Sequence, residues 1–500
     1  MTYDMKEWLE RIDAVIAQGP YSADWDSLSR HETPRWFRDG KLGIFIHWGI
    51  YSVPAFANEW YSRCMYIKGD PAYEHHIQTY GPQKVFGYKD FLPMFKAERF
   101  DAAAWTALFQ EAGARYVVPV AEHHDGFQMY DSALSEWNAV QKGPHRDTFG
   151  ELQQAFARAG LIGGGSTHRI EHWWFMGHGR EFDSDVTDEE QWGDFYWPAH
   201  REPADHFDLT PKDAPDELFL NDWMIRTCEL IDRYHIRQLY FDWWIQIEAA
   251  KPYLQKIAAY YYNRAAEWGE EVMIAYKHDA YAFGTAVVDV ERGQFEEVQA
   301  FPWQTDTAIA KNSWCYTEGN DFKTPWSLIC DLVDVVSKNG SMLLNVGPRA
   351  DGTIAEEDQA VLKAIGRWLS VNGEAIYGSR PWRAAGEGPT SYSGGFFSDG
   401  SDKVYTPADW RFTANHGCIY AICLRPSADG HYRVESLGAG DQAHHGAFCG
   451  SIRGVELLGS EQEIRWQRTA DALEMDVMNP AGIKSDDAAL NPVAFRIQTV

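Results

Sequence analysis

Positive charge is scarce in this chain. Only 45 lysines and arginines stand against 73 aspartates and glutamates, a formal net charge of −28 over 500 residues. Phosphate binding needs a basic footprint, so this balance argues against nucleic acid and anionic membranes as partners. Solubility alone accounts for the acidity. Cysteine is sparse as well: Cys64, Cys228, Cys315, Cys330, Cys418, Cys423 and Cys449 are scattered, with no Cys-x-x-Cys pair. That leaves neither a zinc knuckle nor a disulfide framework. No apolar run reaches the length of a membrane span. The segment Met1–Glu10 has neither the basic start nor the apolar centre of a secretory signal, and the expectation is a reduced, cytoplasmic enzyme. No Gly-x-Gly-x-x-Gly follows a strand-like run, which weakens the case for a doubly wound dinucleotide-binding sheet.

Aromatic residues, by contrast, are plentiful: 22 Trp, 25 Tyr and 26 Phe. Tryptophan and tyrosine offer flat apolar faces with a polar edge, suited to the C–H faces of sugars. A chain of this length also exceeds what one core organises, so two domains are expected. The pattern changes near Trp382. Before it, short apolar runs alternate with amphipathic helices. Phe100–Gly113 reads as a helix leading into a strand at 116–121, and Asn221–Tyr234, with Asn221 as N-cap, leads into a strand at 238–241. Pro325–Lys338 leads into a strand after Asn339-Gly340, and Glu356–Val371 is a further helix. Helix, glycine, strand, polar end: repetition of this unit predicts a parallel sheet, and at this length a (β/α)8-like barrel. After Pro381, Gly and Ser become frequent, as at Tyr392-Ser-Gly-Gly395, and strand-like runs at Gly417–Leu424, Tyr432–Leu437 and Leu473–Met478 lose their helical partners. The expected fold class is therefore α/β, a catalytic (β/α) barrel over residues 1–382 followed by a C-terminal β-sandwich over 383–500.

Four strand-like runs end in ionisable or aromatic residues: Lys41-Leu-Gly-Ile-Phe-Ile-His47-Trp48-Gly49, Arg115 to His123-His124-Asp125-Gly126, Gln238-Leu-Tyr240-Phe-Asp242-Trp243-Trp244, and Val287-Val-Asp289-Val-Glu291-Arg292-Gly293. In a parallel barrel the C-terminal strand ends build the active site. Two acids on different strand ends suit glycoside hydrolysis. Asp242, between aromatics, fits a nucleophile or base, although capping of the next helix explains it equally well. Strand alternation sends Asp289 and Glu291 to one side. His123 and His124 look like metal ligands, but neighbouring strand residues point to opposite faces, so both reach one ion only across a kink. No His-Glu-x-x-His is present, and no metal or other cofactor is expected. The aperiodic stretch 177–214 reads either as a lid or subsite wall or as an ordinary decorated loop.

The segments Trp36 to Pro54, Asn58-Glu59-Trp60-Tyr61, His123 to Phe127, Asp131-Ser132, Trp137-Asn138, Arg146-Asp147, Phe301 to Asp306, Ser313-Trp314 and Leu343 to Ile354 closely resemble α-L-fucosidases of glycoside hydrolase family 29. The resemblance runs from about Trp36 to Trp382. It implies a retaining exo-glycosidase with Asp242 as nucleophile and a fucosylated oligosaccharide or glycoconjugate as substrate. His47, Glu59, Trp60, His123 and His124 match positions that line the family's sugar subsite. Tyr240 stands where the family often has Trp, and Ser166–Trp174 departs from the commoner pattern, leaving His168 and Glu171 either on the sugar or in a structural network. The acid/base is expected at Glu291, with Glu296, Glu297 and Asp289 as alternatives. A related α-L-glycosidase, such as an α-L-galactosidase, or a disabled carbohydrate-binding relative are the competing readings.

Overall fold

The computed structural model of the chain describes residues 3–390, 394–399, 403–440, 448–479 and 491–500. Eight parallel strands form its centre: β1 (Leu42–Ile46), β2 (Tyr116–Glu122), β3 (Ile162–Thr167), β4 (Gln238–Phe241), β5 (Met273–Tyr276), β6 (Val287–Val288), β7 (Trp303–Ala308) and β8 (Gly340–Val346). They run in the order β6-β5-β4-β3-β2-β1-β8-β7. A parallel bridge between Asp289 and Gln304 closes the ring.

Alternation decides what faces the axis. Phe45, Val118, Val120, Tyr240, Met273, Ala275, Val287 and Leu343 pack together inside the barrel. Their strand neighbours Ile44, Ile46, Val117 and Leu344 join one cluster with the outer helices, and Leu239, Phe241 and Ile274 join another. Counting two residues onward along each strand brings His47, Asp242, Lys277, Asp289 and Asn345 to the axis at the C-terminal end.

Helix boundaries follow their caps. The helix before β2 is Ala102–Glu111, with the Asp101 carboxylate accepting from the amides of Ala103 and Ala104. The helix before β4 starts at Glu217, earlier than expected, because Asp216 rather than Asn221 accepts from the Phe219 amide. Asn221 lies inside the helix and is buried. Pro325–Ser337 is capped by Thr324, and Glu356–Asn372 follows β8.

Beyond the barrel, β13 (Ile452–Leu457), β16 (Val493–Thr499), β11 (Cys418–Cys423), β10 (Trp410–Asn415) and β9 (Arg380–Glu387) form a five-stranded antiparallel sheet in that order, facing a three-stranded one of β12 (His431–Val434), β15 (Leu473–Asp476) and β14 (Arg465–Arg468). Trp410, Phe412, Tyr432, Leu473, Met475 and Phe495 fill the space between them. The expected sandwich is present. Tyr392 and Ser393 lie outside the described residues.

Candidate active site

A cavity of about 670 Å³ opens at the C-terminal end of the barrel, with His47, Glu59, Trp60, His123, His124, His168, Tyr240, Asp242 and Glu291 all on its wall. The Lys277 ammonium lies on the same wall. It donates to Asp242 Oδ1 at 2.9 Å and Glu291 Oε2 at 2.8 Å, and Asp306 Oδ2 lies 3.4 Å away. The two accepting oxygens therefore cannot be further apart than the sum of the first two distances.

The two acids have opposite tendencies. Burial alone would raise the pKa of Asp242, but the Lys277 charge and then His168 outweigh it and hold this carboxyl well below the usual value. His168 Nδ1 lies 2.8 Å from Asp242 Oδ2. A carboxylate only accepts, so Nδ1 carries a proton here, while Nε2 lies 3.0 Å from Ser166 Oγ. Glu291 is pushed up to about 7, first by burial and then by Asp306 and Asp242, with Lys277 pulling the other way. One acid is ionised near neutrality and the other is poised to hold its proton.

Below them lies a polar floor. Tyr240 Oη donates to Asp306 Oδ2 at 2.8 Å, and Gln304 Nε2 donates to Asp289 Oδ1 at 2.8 Å. Burial and then Asp306 raise the pKa of Asp289. Asp289 is fully buried and off the cavity wall. Glu296 and Glu297 are exposed and off it too, with Glu296 accepting from the Gly394 amide at 3.0 Å. Of the four acid/base candidates, the structure brings only Glu291 to Asp242.

The histidines surround these acids. Burial holds His47, His123 and His124 well below the ordinary imidazole value, so they are neutral. His47 Nδ1 pairs with Asn345 Oδ1 at 2.7 Å, and because Asn345 Nδ2 is committed to Trp314 O, Nδ1 is the donor. The register of β2 against β3 shifts between Val120 and Glu122, and both His123 and His124 reach the cavity, their ring centroids 4.2 Å apart. Two triads, His47–His123–His168 and His124–His168–Asp242, bring ligand-type atoms within 4.8 Å of one another. In the second, the bond between His168 and Asp242 takes up the space between two of the three. Asp125 turns away: it accepts from Tyr88 Oη and the Phe127 amide at 2.8 and 2.9 Å.

Glu171 stands apart from the other candidates. It is fully buried, does not line the cavity, and contacts His124 Nδ1 from behind. The sequence left it between sugar and network, and the structure keeps it off the cavity wall. Glu59, its pKa raised by burial, accepts from the Trp314 amide at 2.9 Å. Trp60 lies parallel to Trp243 at 6.2 Å.

Sequence reasoning missed Lys277, Asp306 and the aromatic mouth of Phe207, Phe396 and Phe397. Lys277 has a signal: it follows the apolar run Met273–Tyr276 as Asp242 follows Gln238–Phe241. Phe207 comes from the aperiodic stretch 177–214, and that stretch is fastened down. Glu202 accepts from Arg63 at 2.6 Å and lies 2.7 Å from His206 Nε2.

A family model described as alpha-L-fucosidase matches residues 9–374. The tissue alpha-L-fucosidase of Rattus norvegicus is 30% identical over 92% of this chain and 88% of its own length. That of Bos taurus is 32% identical over 92% and 86%. The solved structure of Thermotoga maritima alpha-fucosidase in complex with a mechanism-based inhibitor superposes with a TM-score of 0.73 at 27% identity, covering 95% of this chain and 99% of that one.

Proposed function

Since this chain belongs to the α-L-fucosidase family of glycoside hydrolases, we propose that it releases terminal α-L-fucose from fucosylated oligosaccharides or glycoconjugates with retention of configuration. Asp242 is the nucleophile and Glu291 the acid/base. The observation that carries this reading is the shared ammonium: two carboxyl groups of opposite pKa tendency on one lysine, their accepting oxygens no further apart than two hydrogen bonds end to end and so short of the ~6.5–9.5 Å that leaves room for an inverting water.

The neutral imidazoles of His47 and His123 and the side chains of Glu59 and Trp60 receive the sugar hydroxyls and its apolar face. Asp242 attacks the anomeric carbon while Glu291 gives its proton to the departing oxygen, and a fucosyl ester forms. Esterification removes the negative charge of Asp242. That charge helped to keep Glu291 protonated, so Glu291 now falls toward the carboxylate beside Lys277. It is then able to take a proton from water, which attacks the same carbon and releases α-L-fucose. Lys277 thereby couples the two protonation states.

Replacement of Asp242 by Ala tests the reading with 4-nitrophenyl α-L-fucoside. We expect turnover to fall on the order of a thousandfold or more and azide to restore it, yielding β-L-fucosyl azide. Undiminished turnover, or β-L-fucose as the first product of the unaltered enzyme, would overturn it.

A further inference from the structure

Three phenylalanines at the cavity mouth are unusually open to water: Phe207 is 62% exposed, Phe396 39% and Phe397 64%. Rings left open to water forgo the stabilisation that burial brings, and an apolar patch rimmed by polar groups marks a binding surface. They belong to two remote stretches, 177–214 and the connection between β9 and β10.

The second stretch is strapped to the acid/base strand end. The amides of Gly395, Phe397 and Asp399 donate to the carbonyls of Gln294, Glu291 and Arg292, each at 2.9 Å. Asp399 Oδ2 accepts from Lys323 Nζ and Thr307 Oγ1, both at 2.5 Å. Phe397 sits at φ 56°, a backbone region that bulky residues avoid and that persists only where its surroundings impose it. Phe396 stacks on His278 with ring centroids 4.5 Å apart, and Phe207 meets the same ring edge-on at 5.3 Å. Phe207 also approaches Trp243 at 6.3 Å. Ring contacts thus hold Phe207 and Phe396, and backbone bonds hold Phe397.

A general acid must touch the glycosidic oxygen, so the leaving group lies on the Glu291 side of the sugar. That is where Phe397 is bonded to the Glu291 backbone. A cavity of about 670 Å³ also has room for more than one sugar ring. Resting on the assignment of Asp242 and Glu291 above, we propose that Phe207, Phe396 and Phe397 form the aglycone subsite and grip the first ring of a neutral leaving group by its flat apolar face. The sandwich-side connection thus takes part in substrate selection.

The test compares Phe207→Ala, Phe397→Ala and the double variant on two substrates. α-L-Fucosyl fluoride has no ring in the leaving group, and 4-nitrophenyl α-L-fucoside has one. We expect kcat/KM for the aryl fucoside to fall roughly 10-fold per ring, with fluoride turnover and inhibition by free L-fucose held within twofold. An equal loss on both substrates would assign the rings to the shape of the catalytic pocket, and no loss on either would leave them without a part in binding. Either result overturns the subsite. A wild-type enzyme inert to the fluoride would instead sink the fucosidase mechanism, and the subsite with it.

Discussion

At the scale of single residues, Lys277 carries the most. Its charge lowers the pKa of Asp242 and pulls against the burial that raises Glu291. Activity requires Asp242 ionised and Glu291 protonated, so the unaltered enzyme should lose kcat/KM as pH rises through about 7. Replacement of Lys277 by Met removes a lowering influence from both acids, so both limbs of the profile should move to higher pH, and kcat/KM at neutrality should drop by roughly a hundredfold. Lys277→Arg, which keeps the charge, should leave the limbs in place. A Lys277→Met profile with unmoved limbs would separate this lysine from the acids. Residue roles were legible wherever a strand run could be read and counted by twos. His47, Asp242 and Glu291 share that parity, and so does Lys277, which follows a run of four residues just as Asp242 does. Glu171 could not be placed, because a turn residue has no period to show which way it points.

Among elements, the turn after β2 sets the histidine pair. Gly126 adopts φ +78°, and a Cβ there would lie 2.8 Å from the His172 ring, whose Nδ1 pairs with the His124 carbonyl at 2.8 Å. Gly126→Ala combines left-handed backbone strain with displacement of that ring. It should cost about 1–2 kcal/mol for the strain alone, read by urea denaturation, together with a fall in kcat. Unchanged stability would mean that the turn relaxes freely. The Gly was visible in the sequence as a turn former, but the approach of His172 was not. β3 carries Gly163-Gly164-Gly165, a stretch of poor strand propensity. A Cβ on Gly164 would lie 2.9 Å from the Gln238 carbonyl, so the close approach of β4, a long-range fact, overrides propensity there. Likewise Asp216 took the cap from Asn221 because both are good caps and only the helix's full length chooses between them.

For the whole molecule, the informative pattern is the double-sided β11. Tyr420 and Ile422, with Leu424 just beyond, point into the apolar cluster that holds Ile329, Leu332 and Val336 of the barrel helix Pro325–Ser337. Ile419, Ala421 and Cys423 point into the sandwich's own core. The sequence Gly417-Cys-Ile-Tyr-Ala-Ile-Cys-Leu424 shows this as a nearly unbroken apolar run, the signature of a strand covered on both faces, although nothing local says that the second cover is a helix of the barrel. The reach of Phe396 and Phe397 back to Glu291 was equally hidden, since about a hundred residues separate them and no local pattern encodes contact at that range. Two units joined through a shared apolar cluster should unfold together. Ile422→Ala tests this directly: the side chain is fully buried, so truncation should cost about 2–5 kcal/mol. Calorimetry should show one transition moved down as a whole, with enzyme activity lost at the same midpoint although Ile422 lines no part of the cavity. A second transition appearing on its own, with the barrel melting where it did before, would show that the sandwich merely rests against the barrel.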